Sequence, residues 1–218
     1  MTDKIHTYAA PAIDVTYDKS RCVHVGACIR GLPRVFDPGS RPWVMPANGT
    51  ADRVAATVEQ CPSGALQYLR KDGGPAEQPD AENTVRVSRH GPLFLRGQLE
   101  LVQADGTARQ ETRLALCRCG ASAIKPYCDN AHLKVRFQDE VKGLAGGTTG
   151  AGSANASGPL RIEPQEDGPV QLRGNVRVLD ATGAVAGVTT RAALCRCGQS
   201  GTKPFCDGSH ARVGFRTG

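Results

Sequence analysis

Aromatic residues are scarce in this chain of 218 residues, at 5%, with one Trp and five Phe. Long apolar runs are missing too: nothing approaches the roughly eighteen consecutive apolar residues that a bilayer-spanning helix needs. The opening MTDKIHTYAAPAID has no apolar core of the kind a secretory signal carries. An even cysteine count is lacking as well. Nine cysteines cannot all pair, and two of their groups contain a C-x-C spacing too tight for an ordinary bridge. There is no nucleophile–base motif, no dinucleotide fingerprint and no helix bearing paired carboxylates. These absences argue against a membrane span, a disulfide scaffold and a substrate-processing enzyme. The expectation is a soluble, cytoplasmic protein from a reducing compartment, with its cysteines used as metal ligands.

What the chain does hold fits that expectation. Glycine and proline are plentiful, at 26 and 14 residues. With so little bulky apolar material, several small modules would make poor cores, and small scaffolds in that position rely on metals as staples. The cysteines fall into three groups: Cys22, Cys28 and Cys61; Cys117, Cys119 and Cys128; Cys195, Cys197 and Cys206. The formal charge of +6 ignores thiolates and metal. A two-iron core on three thiolates and an imidazole carries about −1, and a three-iron core on three thiolates about −2. Two of the first and one of the second would leave the loaded protein near +2, which weakens any inference from basic charge to nucleic acid.

The chain repeats itself. PLFLRGQLELVQADG, from Pro92 to Gly106, recurs as PVQLRGNVRVLDATG, from Pro169 to Gly183. RLALCRCGASAIKPYCDNAH then recurs as RAALCRCGQSGTKPFCDGSH, with the offset growing from 77 residues to 78. Leu93, Leu95, Leu99 and Leu101 alternate with polar residues, as do Val170, Leu172, Val176 and Val178, so each copy opens on a half-buried antiparallel strand. Asp105-Gly106 and Thr182-Gly183 supply hairpin turns, and the return strands end on Leu116 and Leu194, directly before the first cysteines. Between the copies lies a Gly-rich stretch (143–158) without G-K-[ST], which reads as a flexible linker and not as a phosphate loop. The N-terminal portion (1–71) differs: Ile13, Val15 and Tyr17 alternate as a strand, and a modest helix is expected over 51–60. The polar, Pro-rich segment 72–83 reads as an interdomain linker, which leaves the first copy as 84–142 and the second as 159–218.

The repeated set is C-x-C-x8-C-x3-H. Two thiolates one residue apart can grip one metal from a tight loop, while a Cys and a His four residues apart lie on one side of a helical turn and can hold another. Asp129 and Asp207 could cap that turn, and its positive end would face an anionic cluster. Three Cys and one His also describe structural zinc; C-x-C is unusual there, which tilts the spacing toward iron without deciding it.

The stretch CRCGQSGTKPFCDGSH, from Cys195 to His210, resembles the signature of the CDGSH iron–sulfur domain family. The resemblance implies a 2Fe-2S cluster on Cys195, Cys197, Cys206 and His210 in a small β-rich fold. The first copy reads CDNAH, with Asn130 and Ala131 in place of Gly and Ser, yet keeps all four donor positions as Cys117, Cys119, Cys128 and His132. Membrane-anchored members of the family pair through their strands, so two copies in one unanchored chain imply an intramolecular β-sheet pseudo-dimer and a monomeric protein. In the N-terminal portion, CVHVGAC, GLPRVFD and CPSGAL resemble a divergent single-cluster ferredoxin. There the middle ligand position falls on Val25, which has no donor atom. Cys22, Cys28 and Cys61 then suit a 3Fe-4S cluster; a 4Fe-4S cluster would need His24 or an exogenous donor, and His24 otherwise reads as a solvent-facing loop residue. His6 and His90 stand apart from the cysteines. Arg118, Arg196, Lys125 and Lys203 either donate toward cluster sulfurs or are solvated charges.

The fold class expected is therefore α+β and β-rich, a small ferredoxin-like domain followed by two CDGSH modules. The function expected is one-electron transfer to unidentified redox partner proteins, with cluster storage or donation to apo-acceptor proteins as the alternative. A zinc-based nucleic-acid module is a minor third, disfavoured by the scarcity of aromatics and of any long basic helix.

Overall fold

The computed structural model describes residues 5–139 and 156–217. The chain divides into two compact units, Met1–Gln78 and Pro79–Gly218. Most of the Gly-rich stretch read as a linker lies outside the described residues.

In the first unit three strands, β1 (Ile5–Tyr8), β2 (Ile13–Asp18) and β3 (Leu66–Arg70), form an antiparallel sheet in the order β1-β2-β3. Strand β2 buries every second residue, as its alternation requires. Two short helices, α1 (Ala27–Gly31) and α2 (Ala51–Val58), complete the unit. Helix α2 starts where the Thr50 side chain accepts from the Arg53 amide. It buries Val54, Ala55 and Val58 in a core shared with Ile13, Val15, Val35, Phe36 and Leu66. Trp43 meets Tyr17 edge-on, with ring centroids 4.8 Å apart; such pairs add about 0.5–1.5 kcal/mol beyond their burial.

The second unit is one six-stranded sheet to which both copies contribute. The first copy supplies β4 (Thr84–Val87), β5 (Leu93–Val102) and β6 (Ala108–Leu116); the second supplies β7 (Leu160–Pro164), β8 (Val170–Leu179) and β9 (Val185–Leu194). Each long strand pairs antiparallel with its return strand, β5 with β6 and β8 with β9. The opposite edge of each is divided. Along β5, residues Leu93–Arg96 pair with β4, and Leu99–Leu101 pair in parallel with β7 of the other copy. Along β8, residues Val170–Arg173 pair with β7, and Arg177–Leu179 pair in parallel with β4. The two arrangements superpose under the 77-residue offset of the repeat.

The handover occurs at a glycine in each long strand. Gly97 (φ +129°) and Gly174 (φ +122°) occupy backbone conformations that side chains avoid. A Cβ on Gly97 would fall 2.2 Å from the Asn83 Oδ1, and one on Gly174 2.4 Å from the Pro159 carbonyl. Asn83 fixes the crossing: its Nδ2 donates to the Gly158 and Asn175 carbonyls, and its Oδ1 accepts from the Gln98 amide. The inward side chains of both copies then form a single core, including Val85, Leu95, Leu99, Ile162, Leu172, Val176 and Val178.

The copies, expected as two modules joined through a β-sheet, contribute to a single sheet and a single core. The short strands β4 and β7 were not anticipated, because four or five residues of TVRV and LRIEP are too few for a period of two to stand out. Segment 72–83 is likewise not all linker: Asp80 pairs with Arg96 and Glu82 with Arg177 within the second unit.

Candidate metal centres

None of the nine cysteines is joined in a disulfide. In the second unit the donors sit just past the ends of the return strands. Leu116 forms a bridge to Tyr127, and Leu194 one to Phe205, which folds each x8 loop back so that its third cysteine returns beside the first two. The Cys117 amide donates to the Pro126 carbonyl and the Cys128 amide to that of Ala115; Cys195 and Cys206 repeat this with Pro204 and Ala193. Short helices, α3 (Ala131–Lys134) and α4 (Ser209–Arg212), then carry the histidines. Asp129 and Asp207 stand one residue before the cap positions, which are Asn130 (φ +67°) and Gly208 (φ +85°). Each aspartate still holds the turn: Oδ1 accepts from Ala131 or Ser209, and Oδ2 from Ala123 or Gly201 across the loop. Asparagine tolerates the left-handed conformation, so Asn130 replaces glycine at a cap without breaking the turn.

The donors gather two by two. The Cys117 and Cys119 sulfurs are 3.7 Å apart, and those of Cys195 and Cys197 are 3.6 Å apart. The Cys128 sulfur lies 3.6 Å from the His132 Nδ1, and the Cys206 sulfur 3.3 Å from the His210 Nδ1. Tetrahedral bonds of ~2.3 Å to sulfur and ~2.0–2.1 Å to nitrogen place two thiolates about 3.8 Å apart and a thiolate about 3.6 Å from an imidazole nitrogen. Each pair therefore suits one metal. Among the described residues no three or more His, Cys, Asp or Glu side chains gather around a single point suited to one ion. The donor set fits a two-metal group, with one pair on each metal.

Burial makes most of these thiols hard to ionise without a metal. Burial pushes Cys128 up to about 11 and raises Cys195 and Cys206. Cys117 is the exception: a hydrogen bond from Cys119 lowers it to about 6, and Cys119 rises in turn. A bound cation would displace the protons that keep these thiols neutral. Burial also lowers His132, keeping its imidazole neutral and able to ligate.

The first unit gathers its own set. Cys22, Cys28 and Cys61 line one pocket together with His24, Tyr17, Trp43 and Pro62. The His24 Nδ1 lies 3.8 Å from the Cys22 sulfur, and His24 itself is exposed, with φ +53°. Val25, at the position without a donor, is 41% exposed. Burial raises Cys28. The aromatic wall of Tyr17 and Trp43 had no signature in the sequence, since it is assembled from a strand and a distant loop.

Two segments, residues 90–133 and 167–211, match the family described as iron-binding zinc finger, CDGSH type. Residues 8–71 match the family described as divergent 4Fe-4S mono-cluster. This is a CDGSH-type iron-binding protein with a divergent mono-cluster domain. It is also similar to two curated proteins, both named uncharacterized protein YjdI, from Escherichia coli strain K12 and from E. coli O157:H7. Each is 38% identical over 64 residues, spanning 29% of this chain and 84% of the relative. No solved structure gives a significant match. Among the described residues, no helix is long and apolar enough to cross a membrane.

In both CDGSH copies the arginine between the paired cysteines is buried, Arg118 at 1% exposure and Arg196 at 3%, so neither is a solvated charge. Arg118 donates to the Gly91 and Ser88 carbonyls, pairs with Asp139 and stacks on Phe137. Arg196 donates to the Gly168 and Gln165 carbonyls and stacks on Phe215. Burial lowers both guanidinium pKa values. The opposing influences include a cysteine of the other copy in each case, Cys195 for Arg118 and Cys117 for Arg196. Lys125 lies over the Phe215 ring of the second copy, and Lys203 donates to the Ser200 carbonyl. His90 is not isolated: its Nδ1 accepts from the Asp139 amide, a role that Asp167 fills toward Thr217 in the second copy. The two C-x-C-G loops lie back to back. A Cβ on Gly120 would sit 2.8 Å from the Cys197 carbonyl, and one on Gly198 would sit 2.8 Å from that of Cys119.

Proposed function

We propose that this protein is a one-electron carrier holding a 2Fe-2S cluster on Cys117, Cys119, Cys128 and His132, a second on Cys195, Cys197, Cys206 and His210, and a third cluster on Cys22, Cys28 and Cys61. The observation carrying this reading is the two-by-two pairing of donors, at similar spacings in both copies. Such clusters supply one-electron chemistry, with potentials set by ligands, hydrogen bonds and exposure. The chain's own residues would do the rest. Buried thiols exclude solvent, the two aspartates fix the histidine turns, and the histidines bring a nitrogen whose protonation would loosen the metal bond as pH falls. The shared sheet supports an internal pseudo-dimer within a monomeric, cytoplasmic chain, and the first unit serves as the ferredoxin-like domain.

Three thiolates favour a 3Fe-4S cluster in the N-terminal pocket. The likeness to a 4Fe-4S mono-cluster family favours the larger cluster, with His24 beside Cys22 as the nearest further donor. The partners on this reading are redox proteins. Donation of clusters to apo-acceptor proteins is the second reading, favoured by the imidazole ligand.

The test is visible and electron paramagnetic resonance spectroscopy of anaerobically purified protein, oxidised and reduced, with iron and zinc counted. A rhombic signal on reduction from two sites supports the two-iron assignment. A near-isotropic signal in the oxidised state that disappears in Cys61→Ser assigns a three-iron cluster to the first unit. Colourless, zinc-loaded protein refutes the redox reading. Incubation with an apo-ferredoxin separates the two roles, because a carrier keeps its clusters.

A further inference from the structure

The two CDGSH sites are built alike but charged differently, and the difference lies beside the buried arginines. Arg118 makes an ion pair with Asp139, whose side chain is itself 11% exposed. The residue matching Asp139 in the second copy is Thr217. The carboxylate nearest in role, Asp167, accepts from Thr217 and pairs with the exposed Arg216. Arg196 itself donates to two backbone carbonyls, and the carboxylate that acts on it through space, Asp167, is 34% exposed and shared with Arg216, so it offsets the buried charge less than Asp139 does.

The back-to-back loops carry that charge toward the other copy. The Arg196 carbonyl approaches within 3.3 Å of where a Gly120 Cβ would stand. Arg196 lines a crevice together with Ile124, Lys125, Pro126 and Tyr127 of the first copy, the segment that leads into Cys128. Phe215 beneath Arg196 also lies under Lys125 of the first copy.

We propose that Arg196 acts across the copies as a positioning charge for the site of Cys117, Cys119, Cys128 and His132, and that this site is therefore the first of the two to accept an electron. A positive charge held in a poorly solvated place favours the more negative, reduced state of a nearby centre. The second site faces Arg118, whose charge Asp139 offsets. The proposal rests on the iron–sulfur reading above, and metal counting separates the two: zinc-loaded protein fails that reading before any potential is measured.

The experiment is a potentiometric titration of the full chain, reduced stepwise and followed by electron paramagnetic resonance. His132→Cys and His210→Cys each change the spectrum of one site, so the unaltered signal in each variant identifies the other. The expected result is that the Cys117 site holds at least ten times the reduced fraction of its partner at intermediate potentials, a gap of at least ~59 mV for one electron. Arg196→Gln lowers the midpoint of the Cys117 site and leaves the Cys195 site in place. Should that variant not fold, Thr217→Asp sets a carboxylate where the first copy has one and shifts the same midpoint downward. Coincident midpoints, earlier reduction of the Cys195 site, or a shift confined to the Cys195 site in these variants would overturn the proposal.

Discussion

Replacing Gly120 or Gly198 with alanine tests the back-to-back contact of the two loops, and the fold supplies its own controls. Gly120 (φ +82°) and Gly198 (φ +77°) share their conformation with Gly106 (φ +82°) and Gly183 (φ +91°) at the hairpin tips. The tips have nothing within 4 Å of an added Cβ, whereas each loop glycine has a carbonyl oxygen 2.8 Å away. At all four positions alanine costs about 1–2 kcal/mol for the left-handed backbone. At the loops a further 1–3 kcal/mol of overpacking is expected, because backbone has to yield. At about 2–4 °C per kcal/mol for a chain of this size, the tip variants should melt roughly 2–8 °C below the parent and the loop variants roughly 4–20 °C below it. The assay is thermal unfolding by circular dichroism, run beside the rate of loss of visible absorbance at fixed temperature. Each loop substitution presses on the other copy's cysteine backbone, so Gly198→Ala should speed cluster loss from the Cys117 site as well as from its own. Loop variants that melt with the tip variants and lose clusters at the same rate would refute the contact.

Asn83→Ala removes three hydrogen bonds of a buried side chain, two of which reach across to Gly158 and Asn175. With about 1 kcal/mol for each net bond and more for partners left bare, a loss of about 3 kcal/mol is expected in denaturant unfolding, against little for Asn175→Ala at the exposed end of the crossing. His132→Cys and His210→Cys each replace an imidazole that protons can displace, so each variant should hold one cluster longer in a stopped-flow acid jump to about pH 5; release at the parental rate from both sites would argue against imidazole ligation. Arg161 and then Arg173 hold the Glu163 carboxyl below its ordinary 4.5. A depressed carboxylate stabilises above its unfolded pKa and loses that contribution as pH falls through the folded one. Unfolding between about pH 5 and 3 should therefore be less steep in Glu163→Gln, and an unchanged slope would remove Glu163 from the acid response.

The grouping of cysteine and histidine side chains was legible because it follows from short-range spacing. Cys128 and His132 are four residues apart, and one helical turn brings them to 3.6 Å. Alternation likewise gave β5, β8 and the inward faces that fill the core, and the helix expected over 51–60 is α2. What sequence could not disclose depends on contacts between distant residues. The burial of Arg118 and Arg196 arises from turns 27 and 28 residues upstream. The divided edges of β5 and β8 come from strands too short to carry a pattern, and the glycines at the handover read as ordinary strand glycines until Asn83 and Pro159 are seen against them. The place of His90 beside Asp139 had no signal either, since the matching residue in the second copy is an aspartate.

The divided strand edges have a consequence for inheritance. Two separate, identical chains joined in this way would be bound to evolve in step, since every substitution would enter both sites at once. Their pairing would also fail on dilution. Joining the copies in one chain makes their association intramolecular, at an effective concentration that does not fall with that of the protein. It also releases each half from its twin. Asp139 could persist where Thr217 stands, and His90 where Asp167 stands, without either change being copied across. A symmetric pair can hold only two equal sites, whereas this chain is free to give its halves different tasks.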